Sequence, residues 1–198
     1  MMRLKIEALY CRYMAICASI IKRDDVALEY WLRLRALKPN DAKIIAIIAF
    51  IRAGHGQKQE AATLIRQAIA LDPDQPAYWF NLGYLLQEME DHAEAIQAFR
   101  RVLALNEKMD ASWYGMAISQ VKLGLLDEAV ASLKRNTEMQ PMSPYGWYQL
   151  AHTYFRMGKM EDAEKVVRKL AGFEPKVALK LEQETGIKSG VNLPFKLQ

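Results

Sequence analysis

The sequence predicts an all-α solenoid, and three observations predict it. Six of the seven prolines fall into two phases of one 34-residue frame: Pro39, Pro73, Pro141 and Pro175 at one, Pro76 and Pro144 three residues later. Alanine recurs in the same frame, at Ala15, Ala49, Ala117 and Ala151 with Gly83 completing the series, and again at Ala27, Ala61, Ala95, Ala129 and Ala163. No insertion or deletion is needed to hold the phase. A fixed period of this length marks stacked helical units, none of which can bury its apolar face without a neighbour.

With the recurrent proline at position 32, the repeats are residues 8–41, 42–75, 76–109, 110–143 and 144–177, and residues 1–7 extend the first helix. The small residues at positions 8 and 20 let two antiparallel helices approach closely. Larger residues at positions 4, 7, 11 and 24 share a face at helical spacing and fill the space beside that crossing. Position 15 is glycine in three repeats (Gly56, Gly124, Gly158), which suits a left-handed residue ending the first helix. Asp24, Asp91, Asp127 and Glu161 then favour the start of the second. Proline at position 32 stops it. After the fifth repeat, Lys176–Glu184 reads as a capping helix, with its remainder at 178–186 and an irregular tail at 187–198. A continuous frame predicts one elongated unit.

Two stretches carry a family signature. Trp79-x2-Leu82-Gly83 with Ala95-x3-Phe99, and Trp147-x2-Leu150-Ala151-x2-Tyr154 with Ala163 and Pro175, resemble the tetratricopeptide repeat. The resemblance covers residues 8–177 and is weakest in the first repeat, where Cys11 and Lys22 replace the tryptophan and the turn glycine. It implies a right-handed α-solenoid, or superhelix, of five helix-turn-helix repeats plus a C-terminal capping helix. It also implies a non-catalytic scaffold that binds a peptide or helix of a partner in a concave groove. A dedicated chaperone or assembly factor for secreted or membrane-associated clients is the alternative.

Composition excludes little but is consistent with that class. Hydrophobic residues make up 52% and charged ones 25%, with a net charge of +4. This imbalance is too mild to argue for nucleic acid, and the basic stripe Arg33, Arg66, Arg100, Arg101, Lys134, Arg135, Arg168 and Lys169 reads as a solvated outer face. Cys11 and Cys17 lie six apart on one helix and cannot bridge, so a reducing, cytoplasmic setting is expected. The apolar runs are too short to span a bilayer. His55, His92 and His152 lie in different repeats without metal-ligand spacing, and no nucleophile–base set can be assembled. No enzyme activity, cofactor or metal is expected; homo-oligomers are compatible with the pattern.

The positions not used for packing are too apolar for a solvated wall. They include Phe50 in the second repeat and Phe80, Asn81, Tyr84 and Gln87 in the third. The fourth contributes Tyr114 and Ile118; the fifth contributes Tyr145, Tyr148, Gln149, His152 and Phe155. Exposed aromatic surface of this extent marks an interaction site. The resemblance places these residues on the inner wall and gives Asn81 a hydrogen bond to a bound peptide backbone. Arg12, Ile16, Ala46, Asn81, Ala111 and Gly115 stand where chaperone-binding relatives place a carboxylate clamp. That specificity is not expected. A partner bearing apolar or aromatic side chains is.

Overall fold

The structure is a computed structural model that describes residues 2–191. Among these residues it has eleven α-helices and no strand. In order they are α1 (Met2–Ile20), α2 (Asp24–Leu37), α3 (Ala42–Gly54), α4 (Lys58–Leu71), α5 (Pro76–Glu88) and α6 (His92–Leu105). There follow α7 (Asp110–Lys122), α8 (Leu126–Met139), α9 (Pro144–Arg156), α10 (Met160–Ala171) and α11 (Pro175–Thr185). The chain forms two compact units, Met1–Leu105 and Asn106–Gln198, where the frame had suggested one. The period runs through the boundary unbroken, so local sequence carries no mark of it.

Both units are built from helical hairpins, and the small residues sit at the crossings. Ala27, Ala61, Ala95, Ala129 and Ala163 are fully buried, as are Ala15, Ala49 and Ala117. The large residue beside each crossing is buried too: Trp31, Ile65, Phe99, Leu133 and Val167. Gly83 replaces alanine in α5 because a Cβ there would stand 2.8 Å from the Phe99 ring.

Every hairpin reverses by the same device. A left-handed residue ends the first helix at Lys22, Gly56, Glu90, Gly124 and Gly158. The next N–H then returns to a carbonyl five residues back, as from Arg23 to Ala18 at 2.9 Å and from Asp91 to Leu86 at 2.8 Å. Two repeats thus hold a side chain in a backbone region that favours glycine. Prolines enter differently: Pro76, Pro144 and Pro175 each open a helix, where the missing N–H has no helical partner.

Tryptophans tie the first helix of a hairpin to the connector before it. Trp79 Nε1 donates to the Pro73 carbonyl at 2.7 Å, Trp113 to Glu107 at 3.1 Å and Trp147 to Pro141 at 2.9 Å. Members of the basic stripe are engaged within the chain. Arg66 pairs with Glu94 at 2.7 Å and Arg135 with Glu107 at 2.6 Å, while Lys169 lies 4.2 Å over the Trp147 ring.

The segment after α11 folds back on its own helix as far as it is described. Gly186, at φ 75°, ends α11, and Glu182 accepts from the Ser189 N–H and hydroxyl. Ile187 and Val191 pack on the core of α9–α11. The rest of the expected tail, residues 192–198, lies outside the described residues.

Candidate interaction surface

In the first unit, α3 and α5 turn their packing faces to α4 and α6 and leave aromatic residues outward. Ile44, Ile48 and Ile51 are buried in α3, which sends Phe50 to the other side, 74% exposed. In α5, Leu82, Leu85 and Leu86 are buried and Tyr84 is 56% exposed. Phe80 is half-buried, its ring 6.0 Å from Phe99 in an edge contact, so it is a wall shared with the core.

Phe50 is a ridge between two hollows. One, of about 370 Å³, is lined by Ala46, Ile47, Phe50, Tyr78 and Asn81 among others. The second, of about 500 Å³, is lined by Phe50, Ile65, Phe80, Asn81, Tyr84 and Leu85, with the ion pair Lys58–Glu88 (3.0 Å) at its edge. Asn81 belongs to both. Its half-buried amide has no side-chain hydrogen bond among the described residues. The Tyr78 hydroxyl of the first hollow is buried and likewise has no partner among the described residues. Burial, and then the charges of Asp72 and Asp41, push the Tyr78 phenol above its ordinary pKa. Gln87 is half-buried and engaged within the chain. Sequence reasoning missed Tyr78, whose position in the frame belongs neither to the packing set nor to the open face.

The second unit uses its aromatic residues on itself. Tyr145 is 71% exposed, whereas Tyr114, Ile118, Tyr148, Gln149, His152 and Phe155 are half-buried. Tyr114 is hydrogen-bonded to Gln149; its pKa is nevertheless raised, because burial outweighs that bond. Tyr148 donates to Glu184 Oε2 at 2.6 Å, and His152 Nε2 lies 2.8 Å from the same oxygen. Lys180 completes the group, 3.7 Å from Glu184 Oε1 and 5.2 Å from the Tyr148 ring. The Tyr148 and His152 hydrogen bonds hold the Glu184 carboxyl below its ordinary pKa. Burial, with Glu184 adding to it, pushes Tyr148 up to about 12. Two residues expected to face a partner therefore clasp α11. The signal lay outside the repeat frame, in the capping helix.

The arrangement offers shape and polar contacts rather than reaction chemistry. Among the described residues no group of three or more His, Cys, Asp or Glu is placed to hold a metal ion. No helix among them is long and apolar enough to cross a membrane.

Family profiles described as tetratricopeptide repeat match residues 51–110, 86–147 and 144–177. The chain belongs to the tetratricopeptide repeat family. No curated protein matches it. Among solved structures, MamA superposes with a TM-score of 0.78 at 16% identity, covering 95% of this chain and 98% of MamA. A MamA fragment from Desulfovibrio magneticus RS-1 gives 0.77 at 16%, covering 90% and 96%. YrrB, described as a tetratricopeptide repeat protein with an unusual peptide-binding site, gives 0.76 at 20%, covering 85% and 88%. At these identities the likeness is one of fold, an α-solenoid of tetratricopeptide hairpins. Family and fold together make the chain a protein-interaction scaffold.

Proposed function

We propose that this tetratricopeptide repeat protein holds an apolar or aromatic segment of a partner on the α3–α5 wall, without catalysis. The observation that carries the reading is the Phe50 ridge between two hollows, the first lined by Tyr78, whose buried hydroxyl has no partner among the described residues, and both lined by the half-buried Asn81. A buried polar group without a partner is destabilising until something supplies one. A peptide backbone crossing the ridge supplies both a carbonyl and an N–H, while its side chains fill the hollows on either side. YrrB, described as having an unusual peptide-binding site, is a fold-level parallel for this use.

The test is selection of peptides from a random displayed library on the full chain, followed by binding measurements with Phe50→Ser, Tyr84→Ser and Asn81→Ala. The expected peptides carry aromatic or large aliphatic residues, and each substitution weakens them while the helical circular dichroism spectrum stays unchanged. An outer-face pair, Arg100→Glu with Arg135→Glu, leaves binding intact. Binding that survives Phe50→Ser but is lost in the outer-face pair refutes the assignment.

A further inference from the structure

Helix α1 is apolar on two opposite faces. Cys11, Ala15 and Ala18 are buried in its hairpin with α2. On the other side Met2, Ile6, Leu9, Tyr13, Ile16 and Ile20 are exposed, at 43–77%. Their spacing alternates four and three residues, which is the seam of a coiled coil rather than a broad globular stripe. Nine of the eighteen exposed large hydrophobic residues among those described lie in the first 21 positions, so this surface is concentrated and not scattered.

The charge beside the seam has one sign. Arg3, Lys5 and Arg12 flank it, and no ion pair to any of them is present among the described residues. Lys5 and Arg12 also line a hollow between α1 and α3, shared with Trp31, Lys38 and Lys43. The carboxylate there, Asp41, already accepts the Lys43 and Ile44 N–H groups at the start of α3. Trp31 is 5% exposed, and its indole N–H has no acceptor among the described residues. Four cations, Lys5, Arg12, Lys38 and Lys43, thus line this space against the single carboxylate of Asp41.

We propose that α1, with this hollow, docks an acidic amphipathic helix of a partner protein. The partner's apolar residues pack along Met2–Ile20, and its carboxylates meet Lys5, Arg12 and the hollow. A second copy of the chain is the poorer occupant: its own seam is flanked by the same cations, and antiparallel pairing sets Arg12 against Arg12. An anionic lipid surface needs no heptad register. The hollow adjoins the first Phe50 hollow, with Lys43 and Ile47 lining both, but the seam and its Lys5 and Arg12 flank lie apart from the Phe50 wall and do not depend on it.

The probe is a fluorescein-labelled three-heptad peptide with leucine at the seam positions and glutamate at the flanking ones, titrated into the full chain by anisotropy. A matched peptide with lysine flanks is the control. The glutamate peptide should bind about tenfold or more tighter than the lysine peptide, and weaken as salt rises. Tyr13→Ser with Ile16→Ser, and separately Lys5→Glu with Arg12→Glu, should each lose that preference, while Phe50→Ser retains it. The charge variant alters only exposed side chains, so it decides the matter even if the seam variant folds poorly. Equal affinity for both peptides, or none for either, overturns the proposal. So does seam-dependent dimerisation in sedimentation, or seam-dependent binding to phosphatidylserine vesicles, without a preference for the glutamate peptide.

Discussion

Gly83→Ala should destabilise the protein even though it replaces a helical glycine with the best helix former. On propensity alone the change gains about 1 kcal/mol. The structure sets a larger opposing effect: the new Cβ stands 2.8, 2.9 and 3.0 Å from three atoms of the Phe99 ring. Phe99 is 1% exposed and has Phe80 at its edge, so the ring has little room to retreat. Overpacking of this kind costs about 1–3 kcal/mol, leaving a net loss near 1 kcal/mol. Urea unfolding followed by circular dichroism should show a midpoint lower by roughly half a molar, given a typical slope of about 2 kcal/mol per molar. The partner change Phe99→Leu recreates the Ala117/Leu133 pairing of the α7–α8 hairpin. It leaves a void of its own, yet the double variant should lose less than the two single losses together, with a coupling of about 1 kcal/mol. A Gly83→Ala variant more stable than the parent, or strictly additive losses, would refute the claim that this crossing is set by ring against backbone.

Two further outcomes follow from the turns and the cap. Glu90→Gly should stabilise by a few tenths to about 1 kcal/mol, since left-handed strain of about 1–2 kcal/mol is removed against a smaller gain in unfolded-state freedom. Gly56→Ala, where a Cβ meets nothing within 4 Å, should lose a comparable amount through backbone strain alone; the same urea titration checks both. Glu184 has a lowered pKa in the fold, so its contribution is complete above the ordinary carboxylate value and is lost as pH falls through the folded one. Tyr148, raised to about 12, contributes below the ordinary phenol value and loses this as pH rises from about 10 to 12. Melting temperatures of Glu184→Gln should therefore approach those of the parent in acid, and an unchanged gap there would exclude the clasp as their source.

What the sequence made legible was whatever a side chain's size reports directly. Ala95 or Ala129 is small because a neighbouring backbone is close, so the crossings could be placed from residue type alone. The turns at Lys22 and Glu90 were harder, because hydrogen bonding of the reversal imposes a left-handed residue whether or not glycine is present. Phe50 and Tyr84 read as outward-facing since their helices have another, fuller apolar face. Tyr148 and His152 read the same way, yet their partner Glu184 comes from α11, where the period offers no register to predict it. The stripe on α1 escaped for the opposite reason. Only Ile16 stands out in the frame, because Met2 and Ile6 precede the first repeat and Leu9, Tyr13 and Ile20 belong to its weakest match.

The tryptophan bonds to the preceding connector act as a length gauge. Their acceptors are main-chain carbonyls, at Pro73, Glu107 and Pro141, so the side chain at that place is immaterial to the bond. Glutamate can stand where its counterparts are proline without loss of the link. Separation along the chain is another matter, since each indole reaches back across the same six-residue interval. A single added residue between Pro141 and Trp147 would carry the ring past its acceptor, while many exchanges of residue type would pass unnoticed. Substitution is tolerated there and insertion is not, which is a physical reason for a frame that varies in composition and never slips in phase.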